Sequence, residues 1–358
     1  MKKLDLYIIR QFLGTFFMSI ILILSIVVIF DISEKIDDFI KKEAPLRAII
    51  TDYYFNFLPY FANLFSPLFT FISVIFFTSK LANNTEIVAI LSSGVSFNRL
   101  LFSYFIAAAI IATFSLGMNH WIVPSATKNI VAFKQKYIWS EYRNTNRHIH
   151  KQIKPGHFIY METFNVQDQT GYKFSYEIIN NQRLTYKLNS SQAKWDSIQQ
   201  SWKVYNYVIR EIDTLHETFR RGNVLDTVFD FDVNEFIEKR EFVNTLNYTE
   251  LSQFIDDEIM KGSERVPFHK IEMYRRTSFP FATFILTLIA VSLCSRKVRG
   301  GIGINIGIGF AISFAYILFM QVFDTFATNA NTPPLLAVWI PNIIFGCLAF
   351  WLYKKDPK

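Results

Sequence analysis

Few charged residues interrupt the long apolar stretches of this sequence, and most of them fall in a handful of clusters. One cluster, Glu34-Lys35-Ile36-Asp37-Asp38-Phe39-Ile40-Lys41-Lys42, follows a charge-free run. On a continuing helix Lys35 and Lys42 are two turns apart on one side, with Lys41 beside them. Ammonium groups at a membrane interface can meet phosphate or other anionic headgroups. Glu34, Asp37 and Asp38 are also in reach, which leaves a self-paired, solvated helix end as the alternative. A second cluster, His269-Lys270-Ile271-Glu272-Met273-Tyr274-Arg275-Arg276, precedes another apolar run. Arg275 and Arg276 there can bind lipid phosphate, or snorkel and pair with Glu272.

A third segment carries a single acid: Asn83-Asn84-Thr85-Glu86-Ile87-Val88-Ala89-Ile90-Leu91-Ser92-Ser93-Gly94. Asn83 as N-cap and Glu86 three residues on form a capping box, and Gly94 suits the left-handed position that ends a helix. The spacing predicts a helix over about 84–93, too short to be stable alone in water. Ile87, Val88, Ile90 and Leu91 therefore need a surface. That surface is either the protein's own membrane face or a groove on a cytoplasmic partner, where Glu86 would meet a basic residue.

Catalytic or metal chemistry finds little support. His148-x-His150 puts two imidazoles on one face of a strand, but a metal centre needs more convergent ligands, and only His157 and Glu162 are near. His148 and His150 are read as surface histidines. There is no Ser/His/Asp set, no pair of carboxylates suited to acid–base work, no P-loop and no GxGxxG. The expectation is a non-enzyme without cofactor or metal.

The elements that position these clusters follow from where charge is missing. Of 358 residues, 51% are hydrophobic and 38 are Phe. Charge-free runs cover 11–30, 53–79, 100–119, 277–295, 300–323 and 325–353, interrupted only by dense charge. Each has about the 20 residues needed to cross a bilayer. A charge at the bilayer centre costs roughly 2.5–3.5 kcal/mol, so its absence is informative. The first run is too long for a signal-peptide core and lacks a small-residue cleavage site. The expected fold is a membrane α-helical protein with six transmembrane helices, three and three, around an inserted all-β, jelly-roll-like domain.

Orientation follows from Lys and Arg in the short loops. With the N-terminus inside, the inner segments carry Lys2, Lys3, Arg10, Lys80, Arg99, Arg296, Lys297, Arg299, Lys354, Lys355 and Lys358. The first outer loop holds more acids than bases, and the loop before the sixth run has no base. Both termini are then cytoplasmic and the central domain lies on the other side. The pI of about 9.1 reflects these loops and not a nucleic-acid partner.

Residues 128–248 are assigned to the β domain. The runs 157–162, 174–179, 184–188 and 204–210 are rich in aromatic and β-branched residues and are separated by turn signals such as Pro155-Gly156 and Asn180-Asn181. Trp195-Asp196 and Trp202 bracket a turn and read as a hairpin. Cys294 and Cys347 lie in apolar runs, so no disulfide holds this domain. Residues 249–276 read as an amphipathic linker helix, capped by Asn247 with Glu250 and ended by Gly262, followed by the approach to the fourth span. Spans one to three occupy 1–127, and spans four to six 277–358. Gly303-x-x-x-Gly307 in the fifth span would let a neighbouring helix approach closely, either as a static interface or as one that opens sideways.

Taken together, the chain resembles the LptF/LptG (YjgP/YjgQ) family of lipopolysaccharide export permeases. The residues that carry the resemblance are Glu86-Ile87-Val88-Ala89 with Gly94, Lys35 and Lys41-Lys42, Trp195-Asp196 with Trp202, and Pro333-Pro334 with Trp339-Ile340-Pro341-Asn342, in that order over the whole chain. The resemblance implies a multi-pass protein of the bacterial inner membrane. It implies an ABC-transporter permease paired with a second LptF/LptG-type permease on an LptB-like ATPase dimer. Such a complex takes lipopolysaccharide from the inner membrane and delivers it to an LptC/LptA-like periplasmic bridge.

On that resemblance, Glu86, Ile87, Ile90, Leu91 and Gly94 belong to the ATPase-coupling helix. Lys35, Lys41, Lys42, Arg275 and Arg276 meet the lipid headgroup, and Gly303 and Gly307 lie in a gate helix. The lysines lean towards the LptG-like subunit. Tyr60 stands where some relatives have a basic residue. Two other classes compete: a membrane-anchored periplasmic binding or assembly protein without transport, and an intramembrane lipid enzyme, for which Asn119, His120 and Asn305 are the few polar groups at hand.

Overall fold

The computed structural model describes residues 3–138, 147–213, 216–231, 233–236, 242–263, 265–295, 301–329 and 332–355. Lys2, Arg296, Lys297, Arg299 and Lys358, used above for orientation, lie outside these residues. The chain divides into two compact units. One is helical and is built from the residues up to Ile138, Phe242–Leu251 and Pro267 onward; the other holds the strands and Ser252–Val266.

The helical unit begins with α1 (Lys3–Lys41), a continuous helix of 39 residues. At 1.5 Å per residue it is roughly 58 Å long, well beyond the ~30 Å hydrocarbon core, so its last turns project past the span. A three-residue turn, α2 (Leu46–Ala48), leads through a wide π-type segment, Ile49–Tyr54, into α3 (Phe55–Asn83). The short α4 (Glu86–Ser92) precedes α5 (Phe97–Gly117), and a second π-type segment, Met118–Ile122, joins α5 to α6 (Val123–Tyr137). After the strands come α7 (Tyr248–Met260), α8 (Val266–Ser278), α9 (Phe281–Cys294), α10 (Gly301–Asn329) and α11 (Pro334–Lys355).

By length and apolarity five described helical stretches can cross a membrane, and six if the bent pair α8–α9 is one span. The sequence implied an unbroken fourth span. The structure breaks it by 53° at Phe279–Pro280, where proline disfavours helical backbone in the residue before it and offers no N–H of its own.

Helix α3 is the centre of this unit, packing on α1, α9 and α10. Its buried face is rich in small polar residues, Ser66, Thr70, Ser73, Thr78 and Ser79. Small side chains let helix backbones come close, and two of these hydroxyls bond across the gap. Thr78 donates to Tyr104 Oη at 3.0 Å, and Asn305 of α10 donates to Ser79 Oγ at 3.0 Å.

The β unit comprises β1 (Arg147–Lys154), β2 (His157–Asn165), β3 (Thr170–Tyr172), β4 (Ser175–Asn180), β5 (Arg183–Asn189), β6 (Gln192–Asp196), β7 (Ser201–Ile212) and β8 (Glu217–Thr227). All described pairings are antiparallel. β2 divides one edge between β4 and β3, and β7 divides one edge between β5 and β6. Since β4 also pairs with β5 and β3 with β6, the ring β2-β4-β5-β7-β6-β3 closes on itself. β1 and β8 flank it on β2 and β7. The expected inserted β domain is therefore present, as one connected hydrogen-bonded network. Closure protects strand edges that would otherwise invite pairing with other chains.

The β6–β7 hairpin matches the sequence reading, with Trp195 directly opposite Trp202. Its turn is held by Asp196, whose Oδ1 accepts from the N–H groups of Ile198 and Gln199 at 3.0 and 3.2 Å and whose Oδ2 accepts from Lys203 at 2.7 Å. The lysine and the two amides together hold the Asp196 carboxyl below its ordinary pKa. Trp202 is fully buried, donates to the Phe231 carbonyl at 3.2 Å and packs against Trp195, Phe231 and Phe236. The Asn247–Glu250 capping box of α7 also forms, with reciprocal 2.9 Å bonds, and Gly262 beyond its end has φ +65°.

The position of Trp202 yields a direct test. Trp202→Ala empties the centre of the β core and is expected to destabilise this unit by about 3–5 kcal/mol. Thermal unfolding of the purified full chain, followed by near-ultraviolet circular dichroism, reads the loss.

Candidate functional site

The charged residues of the helical unit gather at its two ends. At the end holding the N-terminus, Asp5 of α1 is 2% exposed and accepts from Arg99 Nη2 at 2.6 Å and from Ser103 Oγ at 2.7 Å, both on α5. Two residues on, Tyr7 donates to Glu86 Oε2 at 3.3 Å, while Asn84 Nδ2 donates to Glu86 Oε1 at 3.0 Å. Tyr353 of α11 closes the group by donating to Asn98 at 2.6 Å. Glu86 is thus fixed to α1. Sequence reading counted Arg99 as topogenic and missed Asp5. The available signal was an acid within a turn of the N-terminus of an apolar helix, which requires a cation nearby.

Helix α4 departs from its expected cap. Helix α3 runs on through Asn83, so Asn83 cannot cap α4; Thr85, at φ +60°, precedes it without a side-chain cap, and Glu86 is its first residue. Gly94 takes the expected left-handed conformation at φ +86°. Ile87 is 1% exposed in the transmembrane core, and Ile90 and Leu91 pack partly against it. These three residues pack α4 against the helices of its own chain, one of the two surfaces the sequence left open. Val88 is the large apolar side chain of α4 left outside, 61% exposed.

At the far end of α1, Lys35 is not paired with Glu34, Asp37 or Asp38. Its partner is Asp31, one turn earlier and 8% exposed, and it also donates to Tyr53 Oη at 2.6 Å. Tyr53 and Tyr54 in turn donate to Asp31 at 3.2 and 3.1 Å. The π-type turn makes this possible, because its wider winding brings consecutive tyrosines to one carboxylate. Phe39, Phe57 and Phe133 enclose Tyr53. Lys41 and Lys42 are exposed at the helix end and have no ion-pair partner among the described residues.

Arg275 and Arg276 both approach Glu272, one of the two alternatives the sequence left open. Arg276 is 4% exposed, and its guanidinium donates to the carbonyls of Leu246 and Val243 at 2.7 and 3.2 Å. Arg275 pairs with Asp324 of α10 and lies 3.8 Å from Glu272. Both are tied to groups of the chain itself. Tyr60 lines a cavity of about 240 Å³ beside them, with Asn63, Asn119 and Glu272.

Gly303 and Gly307 lie on an open side of α10. An added Cβ at either meets nothing within 4 Å, so no described helix packs closely there. The close approach is at Gly309, where a Cβ would overlap Ile75 of α3.

Among the described residues no group of His, Cys, Asp and Glu is arranged to hold a metal ion. The chain matches the family described as "Lipopolysaccharide export system permease LptF/LptG" over residues 6–355. It is 18% identical over 304 residues, 83% of each chain, to the "Lipopolysaccharide export system permease protein LptG" of Escherichia coli (strain K12). The protein of the same name from Escherichia coli O6:H1 is equally similar, 18% over 304 residues and 83% of each chain.

The Asp5–Arg99 tie can be tested without any partner. Asp5→Ala leaves a half-buried guanidinium without its carboxylate and is expected to cost about 1–3 kcal/mol. The double variant Asp5→Ala with Arg99→Ala is expected to recover part of that loss in thermal unfolding of the detergent-solubilised protein.

Proposed function

The chain belongs to the lipopolysaccharide export system permease LptF/LptG family, a family of multi-pass inner-membrane proteins, and from that membership we propose how its parts divide the work. It is one permease subunit of an ABC transporter that extracts lipopolysaccharide from the inner membrane. A second LptF/LptG-type permease completes the lipid cavity, and an LptB-like ATPase dimer on the cytoplasmic side supplies ATP hydrolysis. Both termini and α4 face the cytoplasm, and the β unit faces the periplasm, where it hands the lipid to an LptC/LptA-like bridge.

The observation that carries this reading is the double attachment of α4. Ile87 roots it in the helix core, and Glu86 bonds to Tyr7 of α1. A push on the exposed side of α4 therefore reaches both the bundle and the helix that ends in Lys41. Glu86 and Val88 are the contacts for the ATPase, and Gly94 fixes the chain's exit from the coupling helix. Lys41 and Lys42, exposed and without ion-pair partners, meet phosphate groups of the lipid headgroup. Lys35, held beside Asp31, lies behind them. Gly303 and Gly307 leave a smooth, unoccupied strip on α10, suited to a lateral gate against the second permease.

Two measurements test this. Glu86→Arg is expected to lower the amount of ATPase that co-purifies with the permease while leaving the melting temperature within a few degrees; undiminished association with normal transport would remove α4 from the coupling role. The pair Lys41→Glu and Lys42→Glu replaces two attractions of about 1 kcal/mol each with repulsions. Photo-crosslinking to lipopolysaccharide is expected to fall at least about tenfold, and wild-type yields would exclude these lysines.

A further inference from the structure

Strand alternation in the β unit leaves one face of β1, β2, β4 and β5 turned away from its core. Ile149, Ile159, Met161, Tyr176 and Leu188 pack inward. The residues between them point the other way and, through the strand register, fall into two rows. His150, Tyr160, Ser175 and Asn189 are directly opposite one another across the four strands, and so are Gln152, Phe158, Glu177 and Lys187. His148 and Lys173 complete the walls of a cleft of about 650 Å³.

The cleft has a flat aromatic floor and a polar rim. Tyr160 and Phe158 are half-buried at its base. His150 leans on the Tyr160 ring with 4.6 Å between centroids, and His148 stacks on the same ring and bonds to its hydroxyl at 2.9 Å. Ser175 is 7% exposed and donates to Glu177 Oε1 at 3.3 Å. Glu177 is also paired with Lys187 at 2.7 Å, and Lys173 with Glu162 at 2.7 Å.

These features discriminate between ligand classes. The volume falls in the range of small-molecule sites. An anion such as phosphate would have to draw Lys187 from Glu177, or Lys173 from Glu162, and then lie beside the released carboxylate. A hydroxylated ring needs no such exchange, because the ion pairs, Asn189 and the imidazoles already offer both donors and acceptors at its edge. Its apolar face matches the ring surface of Tyr160 and Phe158. We propose that this face of the β unit is a saccharide-binding site with Tyr160 as its platform. The sugar is the core oligosaccharide of the exported glycolipid, an identification that rests on the function proposed above.

The test uses the full chain in lipid nanodiscs and core oligosaccharide released from lipopolysaccharide by mild acid. Saturation-transfer difference NMR is expected to show contact to sugar ring protons. Tyr160→Ala is expected to weaken binding about tenfold, the upper range for a single aromatic contact. Tyr160→Phe retains the platform and is expected to bind within about threefold of wild type, and Asn189→Ala, on the exposed rim, separates loss of binding from loss of fold. Equal binding by wild type, Tyr160→Ala and Asn189→Ala would overturn the site, as would displacement of the sugar by inorganic phosphate. Binding of a peptidoglycan disaccharide in place of core oligosaccharide would overturn the glycolipid assignment. Crosslinking of lipid A, which lacks core sugars, is expected to be unchanged in Tyr160→Ala. If lipid A fails to crosslink to the wild type while sugar binding still depends on Tyr160, the export reading fails and the saccharide site stands.

Discussion

In hydrocarbon, a polar group without a partner costs more than most packing contacts return, and this constraint sorts the charged residues of the helical unit. Asp5 is satisfied by Arg99 and Ser103, and Asp31 by Lys35 and two tyrosines. Arg275 is paired with Asp324 through one guanidinium nitrogen, and Arg276 donates to two backbone carbonyls. Each tie joins segments distant in sequence or turns a helix end into a fixed joint. Lys41, in the last turn of α1, and Lys42 just after it are exposed, have no ion-pair partner among the described residues and stand past the hydrocarbon length.

Much of the fold was legible because its signals are coarse. The absence of charge over some twenty residues marks a span whatever its neighbours do, and five described helical stretches are long and apolar enough to cross a membrane. The fourth run bent because a local rule, the restriction before Pro280, prevailed over composition. The strands were legible through their aromatic and β-branched runs, and the Trp195–Trp202 pairing through spacing. Closure of the strands into a ring was not, since it depends on which edges meet, and edges carry little sequence signal.

The candidate site was less legible, for a reason that recurs at each residue. Sequence gives neighbours along the chain, so the only internal partners it offered Lys35 were Glu34, Asp37 and Asp38. The structure chose Asp31 because the π-type turn brought Tyr53 and Tyr54 to it from eighteen or more residues away. Arg276 looked like a surface cation because nothing in the sequence signals a carbonyl acceptor thirty residues earlier. Gly303-x-x-x-Gly307 fits a packing motif, yet the helix contact fell at Gly309, two residues beyond it. Motifs state what a surface permits; the third dimension decides which permission is used.

The unbroken course of α1 has a mechanical meaning. Its first turns are clamped to α5 through Asp5 and linked to α4 through Tyr7, and its last turn carries Lys41. A continuous helix has no joint at which a displacement can be dissipated. Over a rod of roughly 58 Å, a tilt of about 5° at the clamped end sweeps the far tip by roughly 5 Å, close to one helical turn. The fourth span, with its bend, is the opposite device, a joint that can absorb motion. One bundle thus contains both a lever and a hinge, and the lever ends in charge.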